Sequence, residues 1–210
     1  MKYFLYFLSL SFLMISCESK YEKQQDKQEK QQAEDSIKGT AINNDHCHKG
    51  MYIKYAHAYN NYIVEFQGSI LNENIRFIQL AKSNDPKDKV EEQYHALEDQ
   101  TKQAIDSLEN LCPFNGNEEF INSALALFKF YKRAWTDYKE VAKGNTRDER
   151  LKTLEKVKDR FNNVHSVEEK RLEDNFNRAH TAFANDYMLH VRTTPLHDEL
   201  DSLMYVRAKR

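Results

Sequence analysis

Turn-forming residues are scarce in this chain: five glycines and three prolines in 210 residues. A sheet-and-turn fold would need more of both, so the composition favours helices. Neither sign of charge dominates. There are 31 Lys and Arg against 33 Asp and Glu, a net charge of −2. Nucleic-acid binding therefore has no electrostatic support. The apolar stretch Tyr3 to Ser16 is shorter than the roughly 20 residues a spanning helix needs. Also missing are the Gly-x-Ser-x-Gly elbow, the phosphate-binding Walker loop, the Gly-rich dinucleotide turn and the His-Glu-x-x-His zinc motif. No enzymatic activity and no cofactor are expected. Cysteine is limited to Cys17, Cys47 and Cys112, and the first of these carries the most information.

Cys17 ends the run Met-Lys-Tyr-Phe-Leu-Tyr-Phe-Leu-Ser-Leu-Ser-Phe-Leu-Met-Ile-Ser-Cys. A short positive start, an apolar stretch and a small residue before cysteine resemble a bacterial lipoprotein signal peptide. Ile15, Ser16 and Cys17 match the lipobox pattern, while Met14 stands where leucine is usual. The resemblance implies cleavage before Cys17, acylation there, and the lipid bilayer as a partner. Two or more acyl chains give stable anchoring. Glu18, where an aspartate would favour inner-membrane retention, favours the outer membrane or cell surface. Loss of residues 1–16 removes one lysine, Lys2, and takes the net charge from −2 to −3.

Residues 17–45 form a low-complexity tether of Glu, Asp, Lys and Gln with too few apolar residues for a core. A helical period follows. Tyr55, Tyr59, Tyr62, Phe66, Ile70, Asn74, Phe77 and Ala81 step by threes and fours, and Ser83 to Pro86 ends that stripe. The second stripe is Val90, Tyr94, Leu97, Thr101, Ile105 (or Ala104), Leu108 and Leu111, stopped by Pro113 and the turn Phe114 to Asn117. The third is Ile121, Ala124, Phe128, Tyr131, Trp135, Tyr138 and Ala142, with Gly144 as its C-cap. The fourth starts at a capping box, Thr146 to Glu149. It carries Leu151, Leu154, Val157, Phe161 and Val164, has a kink or restart near Ser166 to Glu169, and resumes as Leu172, Phe176, Ala179, Phe183 and Tyr187 up to Thr193-Thr194-Pro195. These stripes predict an all-α fold: an up-down-up-down antiparallel four-helix bundle with long helices, preceded by the signal peptide and tether. The expected domains are 1–16, 17–45, a bundle over 46–192, and an extension over 193–210 holding a short helix from Leu196 to Val206. The aromatic residues lie mostly on the stripes, so core packing accounts for them.

With Cys17 acylated, Cys47 and Cys112 remain, an even number suited to a disulfide in an oxidising compartment. Cys47 precedes helix one and Cys112 ends helix two, which a hairpin brings together if the segment near Gly50 folds back. His46 and His48 flank Cys47 and are weak metal candidates, but adjacent ligands close a tetrahedral site poorly, so the disulfide is favoured. Glu92 and His95 have the spacing used in di-iron bundles but lack a second copy. His180 is expected to be a hydrogen-bonded structural residue, and His57 to be exposed.

The stretch Tyr59-Asn-Asn-Tyr-Ile-Val-Glu-Phe-Gln67 resembles the opening of a family of uncharacterised bacterial surface lipoproteins of spirochaetes and Bacteroidetes. The segment Phe176 to Tyr187 is similar to that family's end. The resemblance spans about residues 50–190 and implies a helical domain at the cell surface, with no activity attached. The Gly-x-His-x-x-Glu motif of helical imelysin-type surface proteins is missing. The expected role is a structural or interaction module of the cell envelope, with an envelope or host protein as partner. The alternative is a small-ligand or metal-binding bundle.

Overall fold

The computed structural model describes residues 50–189. The signal peptide, Cys17, the tether, His46, Cys47, His48 and the extension over 193–210 lie outside the described residues. Within them the chain is helical: α1 (Ala56–Lys82), α2 (Lys87–Glu109), α3 (Glu119–Ala134), α4 (Tyr138–Ala142), α5 (Arg147–Arg160) and α6 (Ser166–Asp186). A 3₁₀ turn, Trp135–Asp137, joins α3 to α4, and a π turn, Phe161–His165, joins α5 to α6. The six segments thus make four helices. The described residues contain no strand, only isolated bridges of Met51 with Leu111 and Phe114 with Asn117.

Local chemistry sets most helix ends. Ser83 Oγ donates to the Leu80 carbonyl at 2.7 Å and accepts from the Asp85 N–H at 3.0 Å. Pro86 then enters α2 from an extended conformation, where its missing N–H costs nothing. Between α2 and α3, Asn115 and Gly116 both take positive φ, 53° and 75°, which mirror-image turns require. At α5 the expected N-cap forms, with Glu149 N–H donating to Thr146 Oγ1 at 3.2 Å, while the Glu149 carboxylate reaches back one residue further than a capping box, accepting from the Asn145 N–H at 2.9 Å.

The core follows the stripes with three corrections, of which the first is that Leu151 is only half-buried while its neighbour Arg150 enters the interior. In α1, Tyr55 is 37% exposed, Tyr62 and Phe66 are only half-buried, and Ile63 is fully buried in their place. Residues 62 and 63 are one helical step apart, so either line satisfies the period. The core takes the isoleucine, while Tyr62 and Phe66 pack edge to face at its boundary, 5.0 Å apart. In the fourth helix, Val164 is 64% exposed. The π turn holds more residues per turn than an α-helix, which shifts the phase of everything after it. His165, not Val164, comes round to Phe130, 6.0 Å between rings.

Arg150 is 1% exposed and joins three segments. Its Nε donates to the Ala81 carbonyl (3.2 Å), one Nη to Gly144 (3.3 Å), and the other to Ser83 (2.9 Å) and Asp85 (3.0 Å). Gly144 does follow α4, and its missing side chain makes room for this arginine. A Cβ there would lie 2.6 Å from Arg150 Cγ.

Candidate functional site

The chain enters the bundle beside the end of α2. Met51 N–H donates to the Asn110 carbonyl at 2.6 Å, and Cys112 N–H donates to the Met51 carbonyl at 2.9 Å. This is the fold-back that the cysteine spacing demands. Gly50 makes the close approach possible, since a Cβ on it would stand 2.6 Å from the Asn110 oxygen and 3.2 Å from Cys112 Sγ. Cys112 is buried and disulfide-bonded.

Next to this junction an open groove of about 480 Å³ runs between α1 and α2, lined by Met51, Tyr62, Asp99, Lys102, Asp106 and Asn110 among others. Lys102 bridges Asp106 at 3.1 Å, which leaves Asp99 as the net charge of these six. Met51, which lines it, is 39% exposed, and Tyr52 and Tyr55, which follow in the chain, are 48% and 37% exposed. The Lys54 ammonium sits 5.4 Å from the centre of the Tyr55 ring. The arrangement suits contact with another surface: apolar and aromatic side chains at one edge, hydrogen-bonding side chains along the other. It sets no nucleophile against a base.

The histidines do not converge. His95 is exposed and faces Glu98 at 3.4 Å rather than Glu92. His57 is exposed, as expected, and lies against Tyr55, 5.9 Å between rings. His180 stacks on Phe120 (5.2 Å) and Phe176 (6.0 Å), and its buried Nε2 has no hydrogen-bond partner. That corrects the expectation of a hydrogen-bonded histidine at this atom: two aromatic faces fill the space a polar partner would need. Burial lowers its pKa below the ordinary histidine value. Among the described residues no group of three His, Cys, Asp or Glu side chains could hold a metal ion, and no helix is long and apolar enough to cross a membrane.

The groove was not visible in the sequence. Asp99, Lys102 and Asp106 read as the solvated face of an amphipathic helix, because their neighbour across the groove, Met51, reaches them only through the fold-back. Compared with protein families, curated proteins and solved structures, the chain matches none.

Proposed function

We propose that this chain is a bacterial lipoprotein, anchored through acylated Cys17 at the outer membrane or cell surface, and that its bundle is an interaction module of the envelope. The address is supported by the signal-like run ending in Cys17 and by the resemblance to helical surface lipoproteins. The role is supported by an open groove lined by the exposed Met51 and by Tyr62, with exposed Tyr52 and Tyr55 close by in the chain, since exposed apolar patches mark contact sites. In this reading the polar tether carries an up-down-up-down bundle, and Cys47 pairs with Cys112. The pairing is supported by the disulfide at Cys112 and by Gly50, three residues from Cys47, lying against it.

Two experiments test the two halves. Cys17→Ala should abolish fatty-acid labelling and release the protein from membranes; a variant that still sediments with them overturns the anchor. A photo-crosslinking amino acid in place of Tyr52, in living cells, should trap a reproducible envelope or host protein. Met51→Asp with Tyr55→Ala should remove that adduct. Failure to trap any partner, or an adduct indifferent to those changes, overturns the interaction role.

A further inference from the structure

Three aromatic side chains form a stack through the middle of the bundle. Tyr131 and Trp135 lie 5.3 Å apart with planes 10° from parallel, and Trp135 and Tyr138 lie 5.4 Å apart at 18°. The 3₁₀ turn accounts for the second contact: at three residues per turn, positions i and i+3 eclipse. All three rings are buried. Trp135 is the sole tryptophan of the chain. Its indole N–H donates to Thr101 Oγ1 at 3.1 Å, and that hydroxyl donates to the Leu97 carbonyl at 2.7 Å. A hydroxyl is too weak a base to take the indole proton.

The two ends of the stack differ. The Tyr131 hydroxyl donates to the Glu173 carboxylate at 3.3 Å. The Tyr138 hydroxyl meets the Asn74 amide, which is not a base, and feels the Glu169 carboxylate through its charge, as Tyr131 does. Beyond Tyr138 the stack meets Phe77, at 4.9 Å and 19°, whose ring is far harder to oxidise than a phenol or an indole. Burial, with Glu173 and Glu169 nearby, holds the Tyr131 phenol in its protonated form. Oxidation of that phenol therefore requires a proton acceptor, and Glu173 is within reach of the proton.

We propose that Trp135, Tyr131 and Glu173 form a relay that moves a one-electron oxidation off the indole and onto the equally buried Tyr131 phenol between α3 and α6, the tyrosine of the stack that is hydrogen-bonded to a carboxylate. A radical oxidant takes one electron from Trp135, becoming its anion and leaving the indole radical cation. Tyr131 then gives one electron to Trp135 and its hydroxyl proton to Glu173. The products are neutral Trp135, the neutral Tyr131 phenoxyl radical and protonated Glu173, so charge and protons balance. The substrate class is one-electron oxidants of the radical type, and the relay spares the core indole from irreversible oxidation.

The test uses laser flash excitation of the full chain at the red edge of its absorption, where only Trp135 absorbs. An irreversible cobalt(III) ammine serves as electron acceptor. The tryptophan radical signal should decay as a tyrosyl signal rises, and heavy water should slow the exchange. Tyr131→Phe, which keeps the ring in the core, should lose the tyrosyl signal, whereas Tyr138→Phe should keep it. Glu173→Gln, which removes the base, should slow transfer by roughly a hundredfold. Circular dichroism checks that each variant is folded. If Tyr131→Phe does not fold, the solvent isotope effect on the unaltered chain and Glu173→Gln still decide. A tyrosyl signal that survives Tyr131→Phe, depends on Tyr138, or never forms overturns the relay.

Discussion

Arg150 carries a full charge into the interior with carbonyl oxygens as its hydrogen-bond acceptors. Three of them, at Ala81, Ser83 and Asp85, belong to the end of α1 and the turn after it, where the helix dipole is negative. Arg150→Met keeps much of the volume but leaves these oxygens buried without donors. It should lower the unfolding free energy by about 3 kcal/mol, read from urea titration. Arg150→Lys should recover little, because an ammonium cannot reproduce the planar fork. His180 makes a second prediction. Its pKa in the folded protein is depressed by burial, so below the unfolded value, near 6.5, the unfolded chain binds more protons. Its contribution is fully present above that pH and is lost as the pH falls. Thermal unfolding from pH 7.5 to 5 should show this fall, and His180→Phe should flatten it. Neither role could be read from sequence. An arginine in the first turn of a polar helix looks solvated, and a histidine between phenylalanines gives no sign of whether its nitrogen finds a partner.

The elements show where local signals suffice. Ser83 to Pro86 and the Thr146 cap were legible because their bonds span only a few residues. The end of α6 was not. The sequence predicts a helix running toward Thr193-Thr194-Pro195, whereas α6 stops at Asp186. Met188 turns left-handed there, with φ 53°. Leu189 N–H donates to the Ala184 carbonyl at 2.7 Å and Met188 N–H to Asn185 at 3.2 Å. This is the Schellman pattern, with methionine where glycine is usual. Leu189 packs against the core and secures the stop. Met188 is 89% exposed, so Met188→Gly loses little packing and relieves the left-handed strain. It should raise the unfolding free energy by about 1 kcal/mol in the same titration. The π turn was legible only as a kink or restart near Ser166. Its place, Phe161–His165, depends on bringing His165 to Phe130 while α5 keeps Arg150 buried.

At the scale of the whole molecule, the fold-back of Gly50 and Met51 onto Asn110 and Cys112 ties the start of the bundle to its second helix. Pairing of Cys47 with Cys112 would close a loop of about 65 residues and stabilise the fold by about 4 kcal/mol in the chain-entropy model. Non-reducing peptide mapping should recover the two cysteines in one linked peptide. A reductant should lower the urea midpoint, and Cys47→Ala with Cys112→Ala should remove that sensitivity. Two free thiols in the native protein would contradict the pairing. Gly50→Ala, whose Cβ would press on the Asn110 oxygen at 2.6 Å, should weaken the same junction with the disulfide intact. The all-α character and most of the buried stripes were determined by sequence alone, because helical period, caps and turn residues act over a few positions. Which of two neighbouring residues enters the core, the burial of Arg150, the Trp135 stack and the groove beside Met51 were decided only by tertiary structure. Each depends on a contact between segments far apart in the chain, and local patterning carries no record of such contacts.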